Sequence, residues 1–369
     1  MTHMNIKLND LQSQWQAIKE KATPEIFDYL ASGEYIGSHY VERFENAWSD
    51  YVNLKHSVMV SSGTDAYKLA LASLRLDSDT CVLLQNNTWA TILFETKRFG
   101  YYVDCIDCDS HFQYSVSKLK SWLKSFRSKY KNVVLVPTHM LGHSCDMKEI
   151  MTLAADYDCS VIEDCSQAHG AYCDIGSVGQ FSDVAFWSLY PGKNLGAVSE
   201  AGIVSTDDEV IAGTIRELSN CGMESKNNFA WEGYNSRPCG LSSIALYHKL
   251  NKLEEWNTRR IKIADVYKKY LYDNTAKYCT RNVYHYFPVL LGAQRRDDLT
   301  IHLDRSGVPY CINYPFTIAK LNKSHKMFSY LKSTSFSESM VCLPCHPFMD
   351  EDQASSIAKT LKCVKLWDL

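Results

Sequence analysis

The sequence predicts an α/β fold: a large unit with a mostly parallel central sheet covered by helices, then a smaller α+β unit. Three observations carry that expectation. Between about residues 55 and 205, short β-branched apolar runs alternate with helical patterns, as in sheets whose strands are buried on both faces. After residue 240 the alternation gives way to one long helical pattern and mixed pieces. With 369 residues, 46% hydrophobic and 22% charged, the chain is long and apolar enough for two substantial cores.

HSVMV (56–60) reads as the first strand, and DAYKLALASL (65–74) as a helix with Ala66, Leu69, Ala70 and Leu74 on one face. TCVLL (80–84), YYVDCI (101–106), NVVLV (132–136) and SVIED (160–164) follow as short buried strands. Helical stretches lie between them at VSKLKSWLKSFRSKY (116–130) and KEIMTLAADY (148–157). VAFWSLY (184–190) and GIVST (202–206) read as late strands of the same sheet. A long helix carrying Leu246, Leu250, Leu253, Trp256, Ile263, Tyr267 and Tyr270 then joins a large unit (1–240, with the N-terminal segment) to a smaller one (241–369).

A formal charge of −3 without basic blocks argues against nucleic acid or an anionic membrane as partner. The opening residues MTHMNIKLNDLQSQWQAIKE lack the apolar core of an export signal. Nor does any apolar run reach the ~18 residues of a membrane span. The expected setting is cytoplasmic. In that setting the 14 cysteines read as small buried hydrophobes rather than disulfides. Cys105/Cys108 and Cys342/Cys345 are too far apart in sequence for a usual zinc pairing, and no metal site is expected.

Three segments carry candidate chemistry. In SSGTDA (61–66) a strand ends, small residues turn, and a helix opens, so backbone N–H groups and the helix dipole converge on one point. That is an anion site or a plain turn with its N-cap. In VIEDCSQAHG (161–170), Asp164 falls at the carboxyl end of a buried strand, where α/β sheets place ligands. A carboxylate there requires a partner, either a structural cation or a protonated ring nitrogen. In FWSLYPGKNLG (186–196), Lys193 sits in a polar turn after an apolar strand. Partial desolvation there lowers an ammonium pKa and frees the neutral amine to attack a carbonyl. Ser188 lies close enough in sequence to offer a hydroxyl to a phosphate.

In that order, these motifs resemble the sugar aminotransferases of the DegT/DnrJ/StrS group, which are fold-type I pyridoxal-5′-phosphate (PLP) enzymes. The likeness extends to SGEYIGSHYVERFENAW (32–48), NTWAT (87–91), VPTHMLGHSCDM (136–147), GYNSR (233–237) and VCLPCHPFMDEDQ (341–353). The resemblance implies that Lys193 forms the Schiff base, Asp164 pairs with the pyridine nitrogen and Gln167 reaches the ring oxygen. It implies that Trp89 stacks on the ring and that Gly63, Thr64, Asp65 and Ser188 hold the phosphate. Asn235 would arrive from a second subunit of a homodimer with shared sites. Tyr35, Tyr190, Arg237 and Tyr314 would lie near the sugar.

The implied reaction moves an amino group from glutamate to a nucleotide-linked keto-sugar, for cell-surface glycan or glycoside biosynthesis. LEEWNTRRIKIADVY (253–267) looks most like relatives acting at C3 of a dTDP-linked 3-keto-6-deoxyhexose. C4 amination of a UDP-, GDP- or dTDP-linked 4-keto sugar is the alternative within the class. A PLP-dependent sugar dehydratase or a non-catalytic PLP-binding relative is the alternative outside it. Dehydratases of the group replace the lysine by histidine, and Lys193 speaks against that reading. Departures cluster around the sugar: Ser199-Glu200-Ala201-Gly202 stands where relatives read Gly-Asp-Gly-Gly. Pro238-Cys239-Gly240 follows GYNSR where relatives carry acidic residues, and Asn313-Tyr314-Pro315 stands for the usual His-Tyr-Pro.

Overall fold

The computed structural model describes residues 6–271, 276–291, 296–322 and 329–361. An N-terminal helical segment, α1 (Leu11–Gln16), α2 (Lys19–Ser32) and α3 (His39–Val52), precedes the first strand, β1 (His56–Val60). The alternation then runs α4 (Gly63–Ser73), β2 (Thr80–Gln85), α5 (Thr91–Arg98), β3 (Tyr102–Ile106), α6 (Val116–Phe126), β4 (Asn132–Val136), α7 (Met147–Asp156) and β5 (Ser160–Asp164). A short hairpin, β6 (Tyr172–Cys173) and β7 (Gly176–Ser177), leads into β8 (Val184–Ser188), β9 (Gly202–Thr206) and α8 (Glu209–Ser219). Local chemistry sets several starts. Ser62 accepts from the Asp65 N–H to cap α4, Asp146 from Glu149 to cap α7, and Asp208 from Val210 and Ile211 to cap α8.

Among the described residues, seven strands form one sheet in the order β1-β9-β8-β5-β4-β2-β3. The run β8-β5-β4-β2-β3 is parallel, whereas β9 lies antiparallel to both β1 and β8. Ser188 and Val60 both pair with Gly202. The carboxyl ends of β1, β8 and β5 therefore meet along one edge. Helices cover both faces. Ala66, Leu69, Ala70 and the partly buried Leu74 pack α4 on one face, and Trp48 of α3 meets Trp187 of β8 edge-on on the other, their ring centroids 5.3 Å apart.

A short hairpin, β10 (Met223–Ser225) and β11 (Asn228–Phe229), precedes the long helix α9 (Gly240–Tyr270). Beyond it lie β12 (Cys279–Arg281), β13 (Phe287–Leu290), α10 (Arg296–Arg305), α11 (Ile318–Asn322), α12 (Leu331–Ser339), β14 (Met340–Leu343) and α13 (Glu351–Leu361). Ile263 and Tyr267 of α9 share a buried cluster with Phe287, Val341, Leu343 and Ile357, which Ile6 of the N-terminal segment joins. Cys105, Cys108, Cys342 and Cys345 are all buried free thiols. Among the described residues no helix is long and apolar enough to cross a membrane.

Candidate active site

Along the edge where β1, β5 and β8 end lies a cavity of about 610 Å³. Its wall includes Gly63, Thr64, Trp89, Asp164, Gln167, Ser188, Tyr190, Lys193 and Tyr314, so nine of the residues singled out in the sequence meet there. Each arrives for a local reason. Asp164 is the last residue of β5 and is buried; its carboxylate accepts from the Ser166 N–H (3.1 Å) and the Thr138 hydroxyl (3.3 Å). Gln167 accepts from the Leu141 N–H (2.8 Å), which turns its amide NH2 towards the Tyr314 hydroxyl at 2.9 Å. Trp89 is half exposed and stands 5.4 Å from the Tyr314 ring.

Gly63 and Thr64 open α4, so their N–H groups have no acceptor within the helix. The turn also presses on β8: a Cβ at position 63 would lie 2.5 Å from the Ser188 Cβ, closer than real carbons approach. Ser62 completes this part of the wall. Asp65 does not line it. Its carboxylate is taken by Lys68, the Ser61 hydroxyl and the Ser236 hydroxyl (2.8 Å), which turns it away from the anion-binding N–H groups.

Lys193 reaches the cavity from a turn closed by its own N–H donating to the Tyr190 carbonyl at 2.8 Å. Burial pulls its ammonium down to about 8, and the nearby Asp164 charge opposes that shift. Burial also pushes the Asp164 carboxyl up, against the Ser166 hydrogen bonds and the Lys193 charge. Lysine and aspartate are thus both drawn towards neutrality. The carboxylate at the end of β5 has room for a cationic partner that this chain's own side chains supply only weakly.

Tyr35, Asn235 and Arg237 do not line the cavity. The Tyr35 hydroxyl donates to the Leu30 carbonyl (3.1 Å), and half the ring is exposed. Residues 234–236 run beside the end of α8, where the Tyr234 N–H donates to Leu218 and the Ser236 N–H to Ser219. Strand-like alternation buries Ser236 and leaves Asn235 in solvent, where it accepts from the Arg237 Nε at 3.2 Å.

Thr88, Thr138, Ser166, Glu200, His285 and Tyr286 also line the cavity but carried no signal of their own in the sequence. Thr88, Thr138, Ser166 and Glu200 fall within segments already singled out in the sequence, whereas nothing marks His285 and Tyr286. Beneath Asp164, His139, Glu163 and Cys165 converge as buried potential metal ligands. The histidine and the glutamate already have their hydrogen bonds committed. His139 accepts at Nδ1 from the Cys145 N–H (2.9 Å) and donates from Nε2 to Glu163 (3.0 Å). Glu163 accepts further from the Gly179 N–H (2.8 Å) and the Ser182 hydroxyl (2.9 Å), so the cluster braces the floor of the site.

A phosphate-sized turn, a strand-end aspartate and a desolvated lysine on one sheet edge narrow the possibilities. The DegT/DnrJ/EryC1/StrS aminotransferase family model matches residues 16–362. The chain belongs to that family. It is a PLP-dependent sugar aminotransferase. It is 29% identical to the dTDP-3-amino-3,4,6-trideoxy-alpha-D-glucose transaminase of Streptomyces venezuelae, across 97% of this chain and 95% of that one. It is 30% identical to the dTDP-3-amino-3,6-dideoxy-alpha-D-galactopyranose transaminase of Aneurinibacillus thermoaerophilus, across 90% and 92%. The crystal structure of S. venezuelae DesV in complex with a ketimine intermediate matches with a TM-score of 0.89 at 27% identity, covering 97% of each chain.

The aminotransferase's cavity fits PLP on its own terms. The α4 turn offers N–H groups and small hydroxyls to a phosphate, and Asp164 offers a buried carboxylate to a protonated ring nitrogen. The Gln167 amide offers a donor beside Tyr314, and Lys193 offers an amine that is half neutral near pH 8.

Proposed function

We propose that this aminotransferase moves the amino group of glutamate to a nucleotide-linked keto-sugar, at C3 of a dTDP-linked 3-keto-6-deoxyhexose. The observation that carries the reading is the facing pair of Lys193 and Asp164 in one cavity, each pushed towards its neutral form by burial. Both relatives named above are transaminases of dTDP-linked 3-amino sugars, which favours the C3 assignment.

When bound, PLP supplies a carbonyl that accepts an amino group and a ring that accepts the electron pair left when a C–H bond breaks. The protein's residues do the rest. Lys193, as a neutral amine, attacks a carbonyl and, in each half of the reaction, would carry the proton between the substrate carbon and the cofactor carbon as a general base and acid. Asp164 holds a proton on the ring nitrogen through charge and hydrogen bonding. Gln167 donates to the ring oxygen, and Trp89 covers one ring face. Ser62, Gly63, Thr64 and Ser188 bind the phosphate. When a second copy of the chain is present, its Asn235 reaches the phosphate; Tyr190 and Tyr314 lie beside the sugar, and Tyr35 and Arg237 complete the substrate side.

The test is a panel of dTDP-, UDP- and GDP-linked 3-keto and 4-keto sugars assayed with PLP-loaded enzyme and glutamate. The expected outcome is turnover led by a dTDP-linked 3-keto-6-deoxyhexose. Preference for a 4-keto sugar would move the attacked carbon to C4. No turnover with any sugar, and no bleaching of the bound cofactor's colour by glutamate, would favour a non-catalytic relative.

A further inference from the structure

Behind the turn that carries Lys193 lies a cation without a carboxylate. Lys249, on α9, is 4% exposed, and its two acceptors are neutral: the Gly196 carbonyl at 2.7 Å and the Gln14 side-chain oxygen at 3.1 Å. Gln14 is fully buried and donates from its amide to the Asn9 side-chain oxygen at 3.2 Å. Asn9 in turn donates to the Gly192 carbonyl at 2.8 Å. The contacts form a closed arc, from Gly192 through Asn9, Gln14 and Lys249 to Gly196. Lys193 lies between its two ends.

Glycine at 192 and 196 makes the arc consequential. Each leaves the backbone free to rotate, so Lys193 would sit between two hinges if nothing held the carbonyls. Gly196 cannot be replaced by a stiffer residue, because a Cβ there would lie 2.2 Å from the Pro191 carbonyl oxygen. Stiffness must come from outside the turn. Asn194 supplies part of it on the other side, donating to the Val283 carbonyl (2.9 Å) and the Asn257 side chain (3.1 Å). The Lys249 arc supplies it at the glycines. Burying an ammonium with only neutral acceptors costs stability, and that burial pulls Lys249 down to about 8. Stability alone therefore gives no reason for a lysine at this position.

We propose that Lys249, acting through Gln14 and Asn9, is a positioning residue that fixes the Lys193 turn and sets the aim of the Lys193 amine into the cavity. This rests on Lys193 being the residue that captures the cofactor. The N-terminal segment thereby supports the catalytic apparatus although none of its described residues lines the cavity.

The test compares two ligands on the full-length apo-protein. PLP carries the carbonyl that Lys193 attacks, whereas pyridoxine 5′-phosphate fills the same cradle without one. In Lys249→Met the rate of covalent PLP capture, followed by absorbance and trapped with borohydride, is expected to fall about tenfold, the scale of a misaimed nucleophile. Affinity for pyridoxine 5′-phosphate should stay within about twofold. Hydrogen exchange of the 189–197 backbone should quicken while that of β5 and α4 does not. Asn9→Ala, farther along the arc, is expected to slow capture about threefold, with a combined effect in the double variant smaller than the product. Should Lys249→Met fail to fold, Asn9→Ala decides alone. Capture within about twofold of wild type in the folded variants would overturn the proposal. So would a loss of pyridoxine 5′-phosphate affinity in step with capture, which would mark a general collapse of the site. Absence of PLP capture by the wild-type chain would instead overturn the role of Lys193.

Discussion

The turn carrying Lys193 and the loop carrying Asn235 are both short polar connections, yet they are held in opposite ways. Around Lys193 the carbonyls of residues 192 and 196 are gripped by side chains from the N-terminal segment and α9, and the Asn194 side chain donates to the Val283 carbonyl. Along 234–236 the backbone is held against the end of α8 and the buried Ser236 hydroxyl bonds Asp65, while the Asn235 side chain faces solvent and accepts from Arg237. The first connection is fully specified by its own chain. The second holds its backbone in place and turns the Asn235 side chain outward, an arrangement that leaves it free to meet a second molecule.

The largest expected effect falls on the specified side. Lys193→Ala should lower turnover by about 10⁴-fold or more, because both the covalent and the proton-transfer roles go with the amine. Circular dichroism should show an intact fold. Activity within tenfold of wild type in a chromatographically pure variant would remove Lys193 from the reaction.

The Asp164 carboxylate produces a smaller effect with two opposite signs. Without a negative charge to hold the ring proton, Asp164→Asn should lose about 10²–10³-fold in turnover, the scale of one preorganised electrostatic contact. PLP capture by the apo-protein should move the other way. Lys193 reacts as the neutral amine, so the wild-type capture rate should rise with pH and level off above the group's value of about 8. The Asp164 charge raises that value, and its removal should shift the midpoint down. At pH 7 the variant should thus capture PLP faster while turning over more slowly. A stopped-flow pH series on both proteins checks the sign, and an unmoved midpoint would mean the two groups do not sense each other.

How far the sequence anticipated this asymmetry depends on the scale of the interaction involved. Lys193 and Asp164 were legible because each sits at the end of an apolar strand, and strand ends on a parallel sheet converge whatever the loops do. The antiparallel direction of β9 was not read from GIVST, since an apolar run looks the same in both directions. The missing helical pattern between Ser188 and Gly202 held the clue, because a parallel return needs a long crossover. Asp65 is grouped with the phosphate turn by the family resemblance, whereas its orientation follows from Lys68 within α4 and from Ser236, far along the chain. His285 and Tyr286 reach the cavity from the approach to β13, and nothing local marks such a placement.

The smallest effect concerns the open side and asks whether a second copy fills it. Asn235→Asp keeps the size of the side chain and adds a negative charge. If Asn235 meets the phosphate of a neighbouring subunit, the variant should weaken PLP binding by about tenfold, the cost of a like charge near an anion partly screened by solvent. If the side chain stays in solvent as part of a monomer, affinity should not change. Mixing separates these cases. A hybrid of Lys193→Ala and Asn235→Asp chains places one wild-type Lys193 opposite one wild-type Asn235, and the other site carries both substitutions. Random assembly makes about half of the dimers hybrid with one good site each, so activity should recover to about a quarter of wild type. Unmixed Asn235→Asp chains should remain below that at limiting PLP, and wild-type PLP affinity should fall as dilution separates the subunits. A verified hybrid that shows no recovery, or a monomer that keeps PLP and full turnover, would mean that Asn235 does not serve a neighbour's site. The loop would then be held for its Ser236–Asp65 contact alone.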